Sequence, residues 1–170
     1  MDLKAYIRDV PDFPKKGILF KDITPLLKDP QAFSFVIENF AKHYESYNLD
    51  AVVAIESRGF ILGGALAKEL NLSFVPVRKP GKLPWKAIQQ SYDLEYGTDK
   101  LEIHEDSFSK NAKVLILDDV LATGGTAAAT VQLVEKAGGQ VAEAAFLIDL
   151  TFLNGRQKLK NTPVYSIIQY

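Results

Sequence analysis

Apolar residues occur along the chain in short continuous runs separated by stretches of helical spacing. Residues 51–55, 74–77, 114–117 and 142–148 are runs of the length and β-branched character of buried strands. Between them, residues 61–70 and 127–137 carry apolar positions at helical spacing, and the second stretch stops at Gly138-Gly139. Ahead of the first strand, Asp29 is placed to cap a helix whose first position is Pro30. Phe33, Val36, Ile37, Phe40, Ala41 and Tyr44 then share one helical face. Strands joined through single helices predict right-handed crossovers and a mainly parallel sheet flanked by helices, an α/β fold. In such a sheet the chemistry sits at the carboxyl ends of the strands. No repeat, low-complexity segment or linker interrupts the chain, so residues 1–170 are expected to form a single domain.

One region breaks the alternation. From Pro80 to about Asn111 the chain is polar and irregular, with weak strand patterns at 90–96 and 101–104 and with Pro84 and Gly97 inside it. A long insertion in a small domain is usually functional, and this one is expected to be a flexible, hairpin-like flap.

Composition narrows the function classes. With 20 Lys and Arg against 21 Asp and Glu, the net charge of −1 argues against a basic nucleic-acid face. Cysteine is absent, so disulfides and thiolate metal sites are excluded. The N-terminus has no apolar signal core and no run is long enough to span a membrane, so the expectation is a cytoplasmic protein without membrane partners.

The most informative segment is Val-Leu-Ile-Leu-Asp-Asp-Val-Leu-Ala-Thr-Gly-Gly-Thr, residues 114–126. A strand ends in two acids and turns through Ala122, Thr123, Gly124, Gly125 and Thr126 into a helix. Glycines allow backbone N–H groups to approach an anion, threonines add hydroxyl donors, and a helix N-terminus favours negative charge. No Gly-Lys-Ser/Thr follows and G-x-G-x-x-G is missing, so neither a triphosphate loop nor a dinucleotide site fits. Asp118 and Asp119 would repel a bare phosphate. Ribose hydroxyls and magnesium are their natural targets, so a sugar phosphate suits the whole segment.

Other candidates follow strands. In Glu56-Ser57-Arg58-Gly59, Arg58 can present a forked cation to an oxyanion while Gly59 permits close backbone approach. Glu56 can orient Arg58, or bind ribose or metal through water, and the sequence leaves these open. Arg78-Lys79-Pro80-Gly81-Lys82 is the densest basic run and opens the insertion. Glu95 and Tyr96 lie in the expected flap. His43 and His104 lack metal-ligand spacing and are given no ligand role. Trp85 suits either a shield over the site or a subunit contact.

The 114–126 segment resembles the phosphoribosyl-pyrophosphate signature of the type I phosphoribosyltransferases. Asp12-Phe13-Pro14, Lys21-Asp22-Ile23-Thr24-Pro25-Leu26-Leu27, Glu56 to Phe60, Pro76 to Pro84 and Leu94 to Gly97 resemble the adenine phosphoribosyltransferases, in that family's order and over nearly the whole chain. The resemblance implies the type I phosphoribosyltransferase fold, with an N-terminal base-binding hood at 1–28 and the flap at about 80–111. It implies transfer of a 5-phosphoribosyl group from 5-phosphoribosyl-1-pyrophosphate to adenine, giving AMP and pyrophosphate, by a homodimer. Ala122 to Thr126 would hold the 5-phosphate and Asp118 and Asp119 the ribose. Arg58, Lys82 and Arg78 would hold pyrophosphate, Arg78 partly across the dimer. Leu19, Lys21 and Leu150 would form the adenine pocket, with Lys21 standing where many members carry Arg, whose planar fork it lacks. Glu95 would carry a proton for the purine, beside Tyr96. Magnesium is expected to bind through substrate oxygens and water, with no direct protein ligand. Two rivals stand: the same chemistry on a 6-oxopurine (hypoxanthine, guanine or xanthine), and a nucleic-acid-binding regulator that senses the sugar pyrophosphate.

Overall fold

β3 (Ala51–Ile55) is apolar at every position and buried along its whole length, which only a central strand covered on both faces permits. In the computed structural model, which describes residues 1–93 and 98–170, it pairs in parallel with β4 (Ser73–Val77) on one side and β7 (Lys113–Leu121) on the other. β8 (Gln140–Asp149) and β9 (Val164–Gln169) extend the sheet, also in parallel, to the order β4-β3-β7-β8-β9. α2 (Pro30–Tyr44) and α3 (Gly59–Glu69) cover one face, packing Val36, Phe40, Leu62 and Leu66 against Val52, Leu115 and Leu117. α4 (Gly125–Lys136) covers the other, where Leu133 and Val134 meet Ile55, Ile116 and Phe146. Each of these fully buried aliphatic side chains contributes roughly 1.5–3 kcal/mol.

The α2 start is as its sequence predicts: the Asp29 carboxylate accepts from the N–H groups of Gln31 and Ala32 at 3.0 and 2.9 Å, with Pro30 at the first position. Three features depart from the sequence pattern. β7 runs four residues past Leu117, so Asp118 and Asp119 belong to the strand itself. β9 was not evident, because an edge strand of mostly half-buried residues has no strong apolar run. β1 (Arg8–Pro11) and β2 (Leu19–Asp22) form a separate antiparallel pair in the N-terminal segment, followed by the short α1 (Thr24–Lys28).

Within the irregular insertion, β5 (Ala87–Asp93) and β6 (Thr98–His104) pair antiparallel in register Ala87↔His104 to Asp93↔Thr98. Leu101 and Ile103 of β6 are buried in the α4-side core, which seats this hairpin against the sheet. Among the described residues, no helix is long and apolar enough to cross a membrane.

Candidate active site

β3 and β7 are neighbours whose connections diverge: β3 leads through α3 to β4, and β7 leads through α4 to β8. Such a switch point opens a crevice beyond the carboxyl ends of the two strands. A cavity of about 790 Å³ lies there, bordered by Glu56 to Arg58 after β3 and by Asp118 and Asp119 on β7.

The loop after β7 continues this cavity into a smaller one of about 90 Å³ lined by Ala122 to Ala127. Gly124 takes the left-handed conformation, φ +79°, and α4 begins at the next residue. A Cβ on Gly124 would stand 2.3 Å from the Gly155 carbonyl oxygen, and one on Gly155 would stand 2.2 Å from that of Ala122. Only glycine at both positions lets the two backbones touch, and the helix N-terminus behind them offers N–H groups without intrahelical acceptors. The special backbone position is therefore Gly124; Gly125 is the first residue of α4.

The acidic pair is electrostatically uneven. Burial, and then the adjacent charge of Asp119, push the Asp118 carboxyl well above the ordinary carboxylate range. The Asp119 N–H donates to Asp118 Oδ1 at 2.8 Å, which works the other way without prevailing. Asp119 is buried, and Arg58 Nε stands 2.5 Å from its Oδ2 in an ion pair. That approach is not aligned as a hydrogen bond, so the buried Oδ2 accepts none. Arg58 also lies 4.8 Å above the Phe20 ring, a cation–π contact linking it to β2.

The basic run lies on the other side of Glu56. Arg78 Nε donates to Glu56 Oε2 at 3.1 Å, the Lys79 N–H donates to the same oxygen at 3.1 Å, and Lys82 Nζ is bonded to Oε1. Burial works to raise the Glu56 pKa, but Lys82, the Lys79 N–H and Arg78 outweigh it and hold the carboxyl below its usual value. Glu56 thus faces Arg78 and Lys82 rather than Arg58, which it does not orient. Lys79, not assigned from the sequence, lines the large cavity, and its amine pairs with Asp99 of β6. Tyr92 of β5 was also missed: its hydroxyl lies 3.2 Å from Asp99 Oδ2 and 3.4 Å from Thr126 Oγ1, joining hairpin to loop.

The cavity is also lined by apolar side chains of two segments, Ile18, Leu19 and Phe20 and then Leu150, Phe152 and Leu153. Lys21 borders it, but its amine is directed to Asp9 at 2.6 Å and to the Tyr170 ring at 3.8 Å from the centroid. Phe152, Leu153 and Gly155 sit in the 3-10 turns after β8, where no periodicity marks them. Glu95 and Tyr96 lie outside the described residues. Trp85 is 64% exposed, and His43 sits away from the cavity against Glu143.

The phosphoribosyl transferase domain family matches residues 22–169. An adenine phosphoribosyltransferase of Chloroflexus aurantiacus is 57% identical over 99% of this chain and 98% of its own. The crystal structure of adenine phosphoribosyltransferase from Thermoanaerobacter pseudethanolicus superposes with a TM-score of 0.97 at 53% identity, covering 99% of this chain and 98% of that one. The Saccharomyces cerevisiae enzyme, solved with adenine and an imino-altritol bisphosphate, gives a TM-score of 0.92 at 41% identity over 97% of this chain and 96% of that one. With a family match over most of its length and full-length relatives above 50% identity, the chain belongs to the phosphoribosyltransferase family, among the adenine phosphoribosyltransferases.

Proposed function

We propose that the chain works in purine salvage, transferring the 5-phosphoribosyl group of 5-phosphoribosyl-1-pyrophosphate to adenine to give AMP and pyrophosphate. The observation that carries this reading is the meeting, at one switch point, of a glycine-bearing loop, an acidic pair and an apolar cavity lining. Adenine N9 attacks the anomeric carbon as the bond to pyrophosphate breaks, through a transition state of oxocarbenium character.

The chain's own residues divide the work among them. Ala122 to Thr126 anchor the 5-phosphate on backbone N–H groups and hydroxyls. Asp118 and Asp119 accept from the ribose hydroxyls, and their charge favours the developing cation. Arg58, Lys82 and Arg78 bind pyrophosphate. The Leu19 backbone reads the edge of the base, Leu150 lies against its ring, Lys21 borders the pocket, and Glu95 carries a proton to or from the purine with Tyr96 beside it. Residues 1–28 act as the hood over the base and residues 80–111 as the flap that excludes water.

Magnesium fits these residues. The acidic pair keeps a buried carboxylate oxygen, Asp119 Oδ2, that accepts no hydrogen bond, and hard oxygen donors of this kind suit an ion carried mainly on substrate oxygens and water. When bound, it would supply neutralising charge to the leaving group. A homodimer and a cytoplasmic place of work belong to the same proposal; the exposed apolar side chains of Ile61 and Phe74 support the first.

Initial rates with adenine and with hypoxanthine at fixed 5-phosphoribosyl-1-pyrophosphate test the base. The two present opposite hydrogen-bonding groups at position 6, so a site that pairs with one rejects the other. Faster turnover of hypoxanthine would sink the adenine assignment while leaving the chemistry in place.

A further inference from the structure

The cations in and beside the cavity are paired with acids: Lys21 with Asp9, Arg58 with Asp119 and Lys79 with Asp99, while Arg78 and Lys82, next to the cavity, share Glu56. Glu56 differs from the others in position. Its carboxylate is only 9% exposed, whereas the Arg78 and Lys82 side chains resting on it are 34% and 47% exposed. It therefore lies beneath the two cations, on the inner side. Its backbone is fixed as well, because the Glu56 N–H donates to the Val77 carbonyl at 2.9 Å and continues the β3–β4 pairing. A carboxylate so placed lies under both cations, and losing them would leave a nearly buried charge without partners.

From this geometry we propose that Glu56 is a resident counter-anion of the pyrophosphate site, holding Lys82 and Arg78 in place while weakening their grip on the departing pyrophosphate. The proposal rests on the assignment of those two cations to pyrophosphate. A polyanion gathered by three unopposed cations would bind tightly and leave slowly, and slow release limits turnover in many enzymes. A fixed negative charge behind the cations subtracts from that attraction without removing the groups that orient the leaving group. Glu56 is a positioning residue: it makes and breaks no bond.

The test is calorimetric titration of inorganic pyrophosphate with magnesium chloride into the full chain. Glu56→Gln keeps an acceptor for Lys82 and Arg78 but removes the charge, and should tighten pyrophosphate binding about tenfold. Lys82→Gln should weaken it by about the same factor, and the double variant, with one charge of each sign removed, should return to within about threefold of wild type. Adenine affinity should not move, while steady-state assays of Glu56→Gln should show lower kcat, lower KM for the sugar pyrophosphate and stronger product inhibition. A purely structural Glu56 predicts the opposite sign, a loosened basic loop and weaker pyrophosphate binding. Unchanged or weaker binding in Glu56→Gln, with adenine affinity intact, overturns the proposal. Should Glu56→Gln not fold, the charge-balanced double variant decides: recovery toward wild type supports the proposal, and binding as weak as Lys82→Gln overturns it. A wild-type chain that binds no pyrophosphate fails at the underlying site assignment, a result distinct from both.

Discussion

Two buried acidic sites lie on neighbouring strands at opposite ends of the sheet, and they are built in contrary ways. Near the start of β8, Glu143 is met by His43 Nε2 at 3.1 Å and surrounded by Tyr44, Tyr47 and Tyr165, with the His43 ring stacked on Tyr165 at 3.8 Å. Near the end of β7, Asp118 and Asp119 stand side by side with a single cation, Arg58, on Asp119. At the first site burial, and then the Glu143 charge, hold the phenols of Tyr47 and Tyr165 above their usual values, so the acid sits among un-ionised partners. At the second, burial and then the like charge of Asp119 act together to raise the Asp118 pKa. An acid given compatible neighbours serves the fold. One crowded against another acid at the mouth of a cavity adds nothing to the stability of the fold, which makes the pair a candidate functional site.

The widest gap between the two ends should come from the loop beside the acidic pair. Gly124→Val places a β-branched side chain at positive φ and into the Gly155 backbone, and should weaken sugar-pyrophosphate binding by on the order of 10²-fold, from a strain of about 1–3 kcal/mol together with misplaced donors. Titration alongside circular dichroism checks it: a folded variant of normal affinity would refute the loop assignment.

Asp118→Asn should separate function from stability. We expect kcat to fall on the order of 10²-fold, more than co-substrate affinity falls, because the lost charge acts on the transition state. Stability should move the other way. A carboxyl whose pKa is raised by folding stabilises fully below its ordinary value of about 4 and loses that contribution as pH climbs through the raised value. The wild-type Tm should therefore decline over that interval, and Asp118→Asn should lack the decline and melt higher at pH 8. An unchanged kcat with a lower Tm would make the pair structural.

Glu143→Gln should do the reverse, costing about 1–3 kcal/mol of stability by disturbing a buried hydrogen-bonded acid while kcat stays within about twofold. A large loss of kcat there would erase the contrast between the two ends. The smallest effect is expected of Tyr165→Leu, which removes the ring under His43 and should cost about 0.5–1.5 kcal/mol in a denaturant titration.

How legible each part was in the sequence follows from the range of the interactions involved. The acid pair, the Thr-Gly-Gly-Thr loop and the strand before them are contiguous, so one stretch of chain displays the entire phosphate end. The α2 cap and its apolar face are equally local. Glu56 was visible as an acid after a strand, but its partner Lys82 lies 26 residues away, and only the parallel pairing of β3 with β4 brings the two together. Tyr92 and Thr126 are 34 residues apart and meet because the β5–β6 hairpin folds back against α4. Gly155 carries no periodic signal at all; its need for a bare backbone exists only because the turn after β8 lies on the phosphate loop.

The sequence by itself determined the central strands and the helices between them, which strand ends carry acids or cations, and the family whose motifs they make. Those properties arise from side-chain periodicity and backbone freedom over a few residues. The tertiary structure decided which acid neutralises which cation. It left Asp118 crowded by Asp119 and Glu143 matched with His43, 100 residues distant in the chain. It also made Gly124 rather than Gly125 the left-handed residue of the loop. Pairings of that kind depend on strand order and on which groups are buried together, and burial is a property of the assembled sheet that no short segment carries alone.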